Sequence, residues 1–213
     1  NGGLSQDIRT VFEELTNKIG IQAIWITGYS MGGNLVLKMA GEARNELPAL
    51  KGVVAICPNI HPAACVAALE DRRNWIYHEH FMAKLKARLE RKTKIFPRKW
   101  DISLYKDIHT MSQFDDAYTA PDGGFRNANE YYEQSGSRHV LEYIQVPTLI
   151  ISSQDDPFIP IDIFNIPAIG SNPCIQLYTP PHGGHCGFIQ KSQKHEDRHW
   201  AENRIIDFIR SNI

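Results

Sequence analysis

Apolar positions along this chain follow two rhythms. Over residues 4–19, Ile8, Val11, Phe12, Leu15 and Ile19 recur at helical spacing. This predicts an amphipathic helix capped by Ser5 or Asp7 and stopped at Gly20. An apolar run over 21–27 predicts a strand, 34–43 predicts a helix, and the β-branched run over 50–57 predicts a buried parallel strand. Helix, strand, helix, strand is the α/β rhythm. It breaks between 62 and 137, where no strand is predicted. Helices are expected there over 63–69 and 78–93, with Trp75, Met82, Leu85 and Leu89 on one side. The rhythm resumes at Leu141, with strands over 147–153 and 175–179 and a last helix over 200–210 carrying Ile205, Ile206, Phe208 and Ile209. The pattern predicts a single α/β domain over 1–213. Its sheet would be mostly parallel, with helices on both faces and an insertion at 62–137.

Where the first predicted strand meets the second helix, the chain reads Gly28-Tyr29-Ser30-Met31-Gly32-Gly33. Strand, G-x-S-x-G, helix is the layout of a nucleophile elbow. So tight a turn holds the serine in a strained conformation. Gly28 and Gly32 are expected to flank it because a Cβ at either would collide with the neighbouring strand or helix. The Ser30 hydroxyl would then stand proud of the sheet, with helix N–H groups beside it for developing negative charge. The N–H of Met31 is the expected oxyanion donor. The competing reading is a strand-to-helix turn in which Ser30 only caps the helix.

A serine hydroxyl needs a base, and the base needs a carboxylate to fix its tautomer and stabilise its cation. Elbow folds carry these in the order Ser, Asp or Glu, His, each in a loop at the carboxyl end of a strand. Ser30, Asp156 and His185 meet both conditions. Asp156 is preferred to Asp155 because Asp156-Pro157-Phe158-Ile159-Pro160 fits an acid loop, leaving Asp155 to turn chemistry. His185 is preferred to His182 because Phe188 and Ile189 follow it as a segment able to pack the loop down. His182-Gly183-Gly184 is similar to an HGGG oxyanion loop, but that motif belongs before the elbow.

Composition narrows the alternatives. A formal net charge of −1 over 213 residues gives no case for a nucleic-acid partner. Cys57, Cys65, Cys174 and Cys186 form no C-x-x-C pair and do not resemble a disulfide framework. They read as reduced thiols of a non-secreted protein, intracellular and either cytoplasmic or membrane-associated. No run approaches the roughly 18 apolar residues of a membrane span. No metal or cofactor is expected. His78-Glu79-His80 points to different helix faces, and His182, His185 and Cys186 lack an evident fourth ligand. Within 84–99, Lys84, Lys86, Arg88, Arg91, Lys92, Lys94, Arg98 and Lys99 face Glu90 alone. The segment is either a solvated helix face or a patch for anionic lipid headgroups.

Several stretches together resemble one branch of the α/β hydrolases, the YheT-like group. This group includes plant embryogenesis-associated proteins and animal medium-chain phospholipases. The stretches are Ile26-Thr27-Gly28-Tyr29-Ser30-Met31-Gly32-Gly33-Asn34 and Phe114-Asp115-Asp116-Ala117-Tyr118-Thr119-Ala120-Pro121, then Gly124-Phe125 and Tyr131-Tyr132. Asp155-Asp156-Pro157-Phe158 and His182-Gly183-Gly184-His185-Cys186-Gly187-Phe188 complete the set. The resemblance implies an α/β-hydrolase fold with 62–137 as a helical cap. It also implies esterase or lipase activity on short- to medium-chain acyl esters, possible glycerolipid substrates, and Ser30, Asp156 and His185 as the triad. Acyl transfer to an alcohol by the same triad, or an inert binding module, are the alternatives. Family members carry early strands and a second oxyanion donor ahead of the first helix seen here. The sequence therefore reads as a fragment, with an unpaired sheet edge expected beside the first strand.

Overall fold

The computed structural model describes residues 4–97, 99, 100 and 102–213, with the backbone alone at 104. Asn1, Gly2, Gly3 and Arg98 of the segments read above lie outside the described residues. Strands β1 (Ile24–Tyr29), β2 (Leu50–Ile56), β3 (Thr148–Ile151) and β4 (Ile175–Tyr178) form one parallel sheet in sequential order. Ile24 faces Leu50, Val54 faces Leu149, and Leu149 faces Gln176. Every residue of β3 is buried, as are all of β2 except Lys51. This suits strands covered on both faces. β1 is an edge, and no strand among the described residues pairs with its outer side.

Helix α1 (Ser5–Asn17) packs on α2 (Met31–Ala43), which lies against β1 and β2. Less of α1 is buried than its spacing predicts. Phe12 enters the core and Ile8 touches it, but Val11 and Ile19 are exposed. Neither Ser5 nor Asp7 caps the helix. Leu4 holds that position, and the Ser5 hydroxyl instead donates to Glu42. β1 begins three residues later than its apolar run. The Ile21 N–H bonds back to the Leu15 carbonyl and the Gly20 N–H to Thr16, so these residues finish the helix.

Between β2 and β3 the described chain is helical, with α3 (Pro62–Glu70), α4 (Trp75–Ile95) and α5 (Ala128–Ser135) as its longest parts. Met82 and Leu89 of α4 are buried with Ile108, Phe114 and Tyr118 in a cluster separate from the sheet core. Trp75, expected on the same face, is exposed. A π-helical turn, Asp115–Thr119, occupies the middle of the insertion. Asp116 accepts from the Ala128 N–H, and Asp115 accepts from the Tyr132 hydroxyl at 2.8 Å. The final helix, α6 (Trp200–Ser211), covers the sheet face opposite α2. Trp25 meets Phe208 edge-on and Tyr29 donates to Glu202, while Gly28, an odd number of residues away, meets α2. Among the described residues no helix is long and apolar enough to cross a membrane.

Candidate active site

Ser30 sits between β1 and α2 with φ 52°, in the left-handed region that non-glycine residues seldom occupy. Its N–H continues the parallel ladder onto the Ile56 carbonyl at 2.8 Å, and its carbonyl accepts the Asn34 N–H to open the helix. The hydroxyl makes no capping bond. Instead it lies 2.9 Å from His185 Nε2. Met31 is the first residue of α2, so its N–H has no carbonyl four residues back within the helix.

The glycines divide the work differently from expectation. A Cβ at Gly28 would stand 2.2 Å from the Gly32 carbonyl oxygen, so Gly28 is required where strand and helix cross. A Cβ at Gly32 would meet nothing within 4 Å. The second close approach falls on Gly33, where it would lie 3.0 Å from Pro58 Cβ and 3.1 Å from the Gly28 oxygen.

The two remaining partners arrive from loops after β3 and β4. The Asp156 side chain is fully buried. Its Oδ1 accepts the N–H groups of Phe158 and Ile159, and its Oδ2 lies 2.9 Å from His185 Nδ1. This fixes the carboxylate and aims the imidazole at Ser30. Burial opposes a charged His185 ring, but the hydrogen bond to Asp156, the nearby Cys57 thiol and the Asp156 charge outweigh it and hold the pKa up at about 9. The Phe158 ring packs 4.2 Å from the imidazole centroid.

Asp155 does more than turn the chain. It accepts the Gly184 N–H at 2.8 Å and contacts exposed His182 at 3.3 Å. Ser153 donates to the Gly184 carbonyl at 2.7 Å, so the peptide units on both sides of Gly184 are tied to the acid loop. Gly184 itself has φ 52°. Gly183 lies under the Phe188 ring, where a Cβ would come within 2.2 Å of Cε1. The stretch similar to an HGGG loop therefore shapes the histidine loop. On the opposite side, buried Asn34 donates to the Ser135 carbonyl and accepts the Ser137 N–H, both at 2.8 Å. That pair of bonds joins the elbow helix to the end of the insertion.

Two cysteines that spacing did not bring together flank His185. Cys57 follows β2 and is buried; Cys186 follows His185. Their close approach, and then burial, push the Cys57 thiol up, and the same contact lowers Cys186. The sequence carried one signal, the adjacency of Cys186 to His185, and none for Cys57.

A cavity of about 370 Å³ opens from Ser30 beneath the insertion. Phe81, Leu85, Leu89, Phe114, Tyr118 and Ile159 supply apolar walls, and Arg88 and Lys92 line it as well. Apolar walls with a few polar groups suit a small-molecule site. Asp115, also at the wall, has its pKa raised, chiefly by burial. The basic segment is partly compensated within the fold. Lys86 donates to the Ile108 carbonyl, and Lys92 and Lys99 both pair with Asp122 around Trp100.

A strained serine at a strand-to-helix turn, with its partners in Ser, Asp, His order over a parallel sheet, defines an α/β-hydrolase site. Residues 4–192 match the α/β hydrolase fold family, and the chain belongs to it. The protein YheT of Escherichia coli (strain K12) is 30% identical over 211 residues, covering 98% of this chain and 61% of that protein. Medium-chain fatty acid ethyl ester synthase/esterase 2 of Saccharomyces cerevisiae is 36% identical over 105 residues, 49% of this chain and 22% of that one. The chain thus spans less than two thirds of either relative. Among solved structures, a thermophilic esterase from Thermogutta terrifontis is similar in fold at 18% identity, with a TM-score of 0.52 over 99% of this chain and 72% of that one.

Proposed function

We propose that this chain carries the catalytic machinery of a serine carboxylic ester hydrolase acting on short- to medium-chain acyl esters, glycerolipids among them. One observation carries the reading: Ser30 Oγ, His185 and Asp156 stand in a continuous line of 2.9 Å contacts at the mouth of an apolar cavity. His185 Nε2 takes the Ser30 proton as the hydroxyl oxygen attacks the ester carbonyl. Asp156 holds the imidazole in place and stabilises its cation. The Met31 N–H faces the developing oxyanion. His185 then protonates the leaving alcohol, and water repeats the cycle on the acyl-enzyme.

Residues 62–137 act as the cap, and the acyl chain lies between Phe81, Leu85, Leu89 and Phe114. Their apolar surface is free to receive hydrocarbon, and the cavity volume lies near the lower end of ordinary ligand sites at about 300–1,000 Å³. Short and medium chains fit that space better than long ones. Helix α4 exposes Trp75, Ile76, Tyr77 and Ile95 beside its basic residues, which supports contact with an anionic lipid surface. Transfer of the acyl group to an alcohol is a second reading. It is supported by the similarity to a protein named both synthase and esterase.

The test is a series of p-nitrophenyl esters of increasing chain length, with and without added ethanol. The reading predicts turnover that peaks at short to medium chains and disappears in Ser30→Ala. Unchanged turnover in that variant refutes it, and ethyl ester among the products favours transfer.

A further inference from the structure

Two thiols and one ring nitrogen converge directly behind the nucleophile. Cys57, His185 and Cys186 each offer a ligand atom, and the three atoms lie within 4.8 Å of one another. The residue considered from sequence in place of Cys57, His182, is turned away toward Asp155. We propose that Cys57, Cys186 and His185 form a binding site for a thiophilic divalent cation of the zinc and cadmium class, and that its occupation reversibly switches the hydrolase off.

The geometry suits the ion. Zinc binds thiolate at about 2.3 Å and imidazole at about 2.0 Å in a tetrahedron, which places ligand atoms roughly 3.5–3.8 Å apart. The three atoms here need only a small side-chain adjustment to reach those separations. Cys57 and Cys186 both have left-handed backbone angles, φ 45° and 65°, and the Cys57 N–H is anchored to the Ile151 carbonyl at 2.7 Å. Cys57 closes the buried side, whereas His185 and Cys186 are part-exposed and leave an approach for the ion. When Nε2 ligates, the carboxylate that orients a metal-binding histidine is also present, because Asp156 Oδ2 lies 2.9 Å from His185 Nδ1. Three protein ligands leave the fourth corner for water, and the two thiols release their protons to solvent as the ion binds.

Inhibition follows from competition for one ring. His185 Nε2 faces Ser30 and Nδ1 faces Asp156. Whichever nitrogen ligates the ion, one of those contacts is given up, and the ring no longer serves as the base. The binding claim stands on the cluster alone; the inhibition claim rests on the triad reading above.

Cadmium is the probe that separates the two claims, because its bond to thiolate gives an ultraviolet charge-transfer absorption that needs no turnover. The full chain, kept reduced with a phosphine that forms no disulfide, is titrated with Cd²⁺ while absorption and ester hydrolysis are followed. The expected result is a saturating absorption at one ion per chain, hydrolysis that falls in step with it, and recovery of both on adding chelator. Outer-sphere substitutions at metal sites already weaken affinity ~10–100-fold, so Cys186→Ser, which removes a direct ligand, should weaken Cd²⁺ binding by at least ~100-fold. It should still hydrolyse ester without the ion. Cys57→Ala should weaken Cd²⁺ binding in the same way and serves the binding comparison alone, and thermal melts identify either variant if it has failed to fold. Absence of the saturating absorption in the wild-type chain overturns the site. So does unchanged Cd²⁺ affinity in a folded Cys186→Ser or Cys57→Ala protein. Absorption that saturates without loss of hydrolysis overturns the switch and leaves the triad reading intact. A chain that binds Cd²⁺ but hydrolyses no ester before the ion is added supports the site and counts against the triad reading.

Discussion

The Gly184 N–H donates to Asp155 at 2.8 Å, so the residue before buried Asp156 holds the residue before His185. The loops that carry Asp156 and His185 are thereby latched to each other one position away from the His185–Asp156 contact. Misplacing a reacting group by about 1 Å can cost ~10²-fold in rate. Asp155→Ala should therefore lower kcat by ~10–100-fold with little change in KM, and Asp155→Asn, which keeps an acceptor oxygen, should recover much of the loss. Steady-state kinetics of the two variants check this. Equal kcat in Asp155→Ala and wild type would remove the latch.

The elbow glycines should respond to alanine in opposite ways. Gly28→Ala places a methyl group 2.2 Å from the Gly32 oxygen and 2.7 Å from the Gly33 nitrogen, backbone atoms of the helix that cannot swing aside. Overpacking of that kind costs ~3 kcal/mol, a fall in Tm of ~6–12 °C for a chain of this size. Gly32→Ala meets open space within a helix, where alanine is favoured by up to ~1 kcal/mol, so its Tm should hold or rise by ~2–4 °C. Thermal melts of the pair decide the matter.

This contrast shows where sequence reading stops. The order of Ser30, Asp156 and His185 was legible because each sits in a short loop whose chemistry is local: a G-x-S-x-G turn, an Asp-Pro loop and a glycine-rich loop. Which glycine meets Pro58, or that Cys57 lies beside Cys186, depends on where β2 ends relative to α2 and the histidine loop. No local pattern encodes that register. The start of β1 was misplaced for a similar reason. The Ile21–Leu15 hydrogen bond and the pairing of Ile24 with Leu50 set the boundary, while the apolar run only suggested it.

Asp115 supplies a pH dependence of stability. Burial raises its pKa in the fold, so between the ordinary carboxylate value and the raised one the folded state holds more protons than the unfolded state. Stability therefore falls as pH rises through that window, and the loss persists above it. Asp115→Asn keeps an acceptor for Tyr132 and removes the buried charge. Its Tm should exceed that of wild type at pH 8, and the gap should close as pH drops below the ordinary carboxylate range. Melts at pH 8 and pH 4 test the sign; a wider gap at pH 4 contradicts it.

On the proposed mechanism, His185 sets the alkaline dependence of activity. As a base it acts only when neutral, and its contacts with Asp156 and Cys57 hold it charged up to about 9. The kcat/KM of the free enzyme should rise with pH along a single limb centred near that value. Asp156→Asn removes the charge that favours the imidazolium, so the limb should move to lower pH while the plateau falls by up to ~10⁴-fold. A pH–rate profile of both proteins reads the two effects, and a limb that stays in place in the variant contradicts the assignment.

The most direct measurement is reaction with a fluorophosphonate, followed by mass spectrometry of the labelled peptide. Activation of Ser30 by His185 predicts a single adduct on Ser30, formed quickly in wild type and nearly abolished in His185→Ala. An adduct on another residue, or labelling of Ser30 that is indifferent to the loss of His185, would contradict the account.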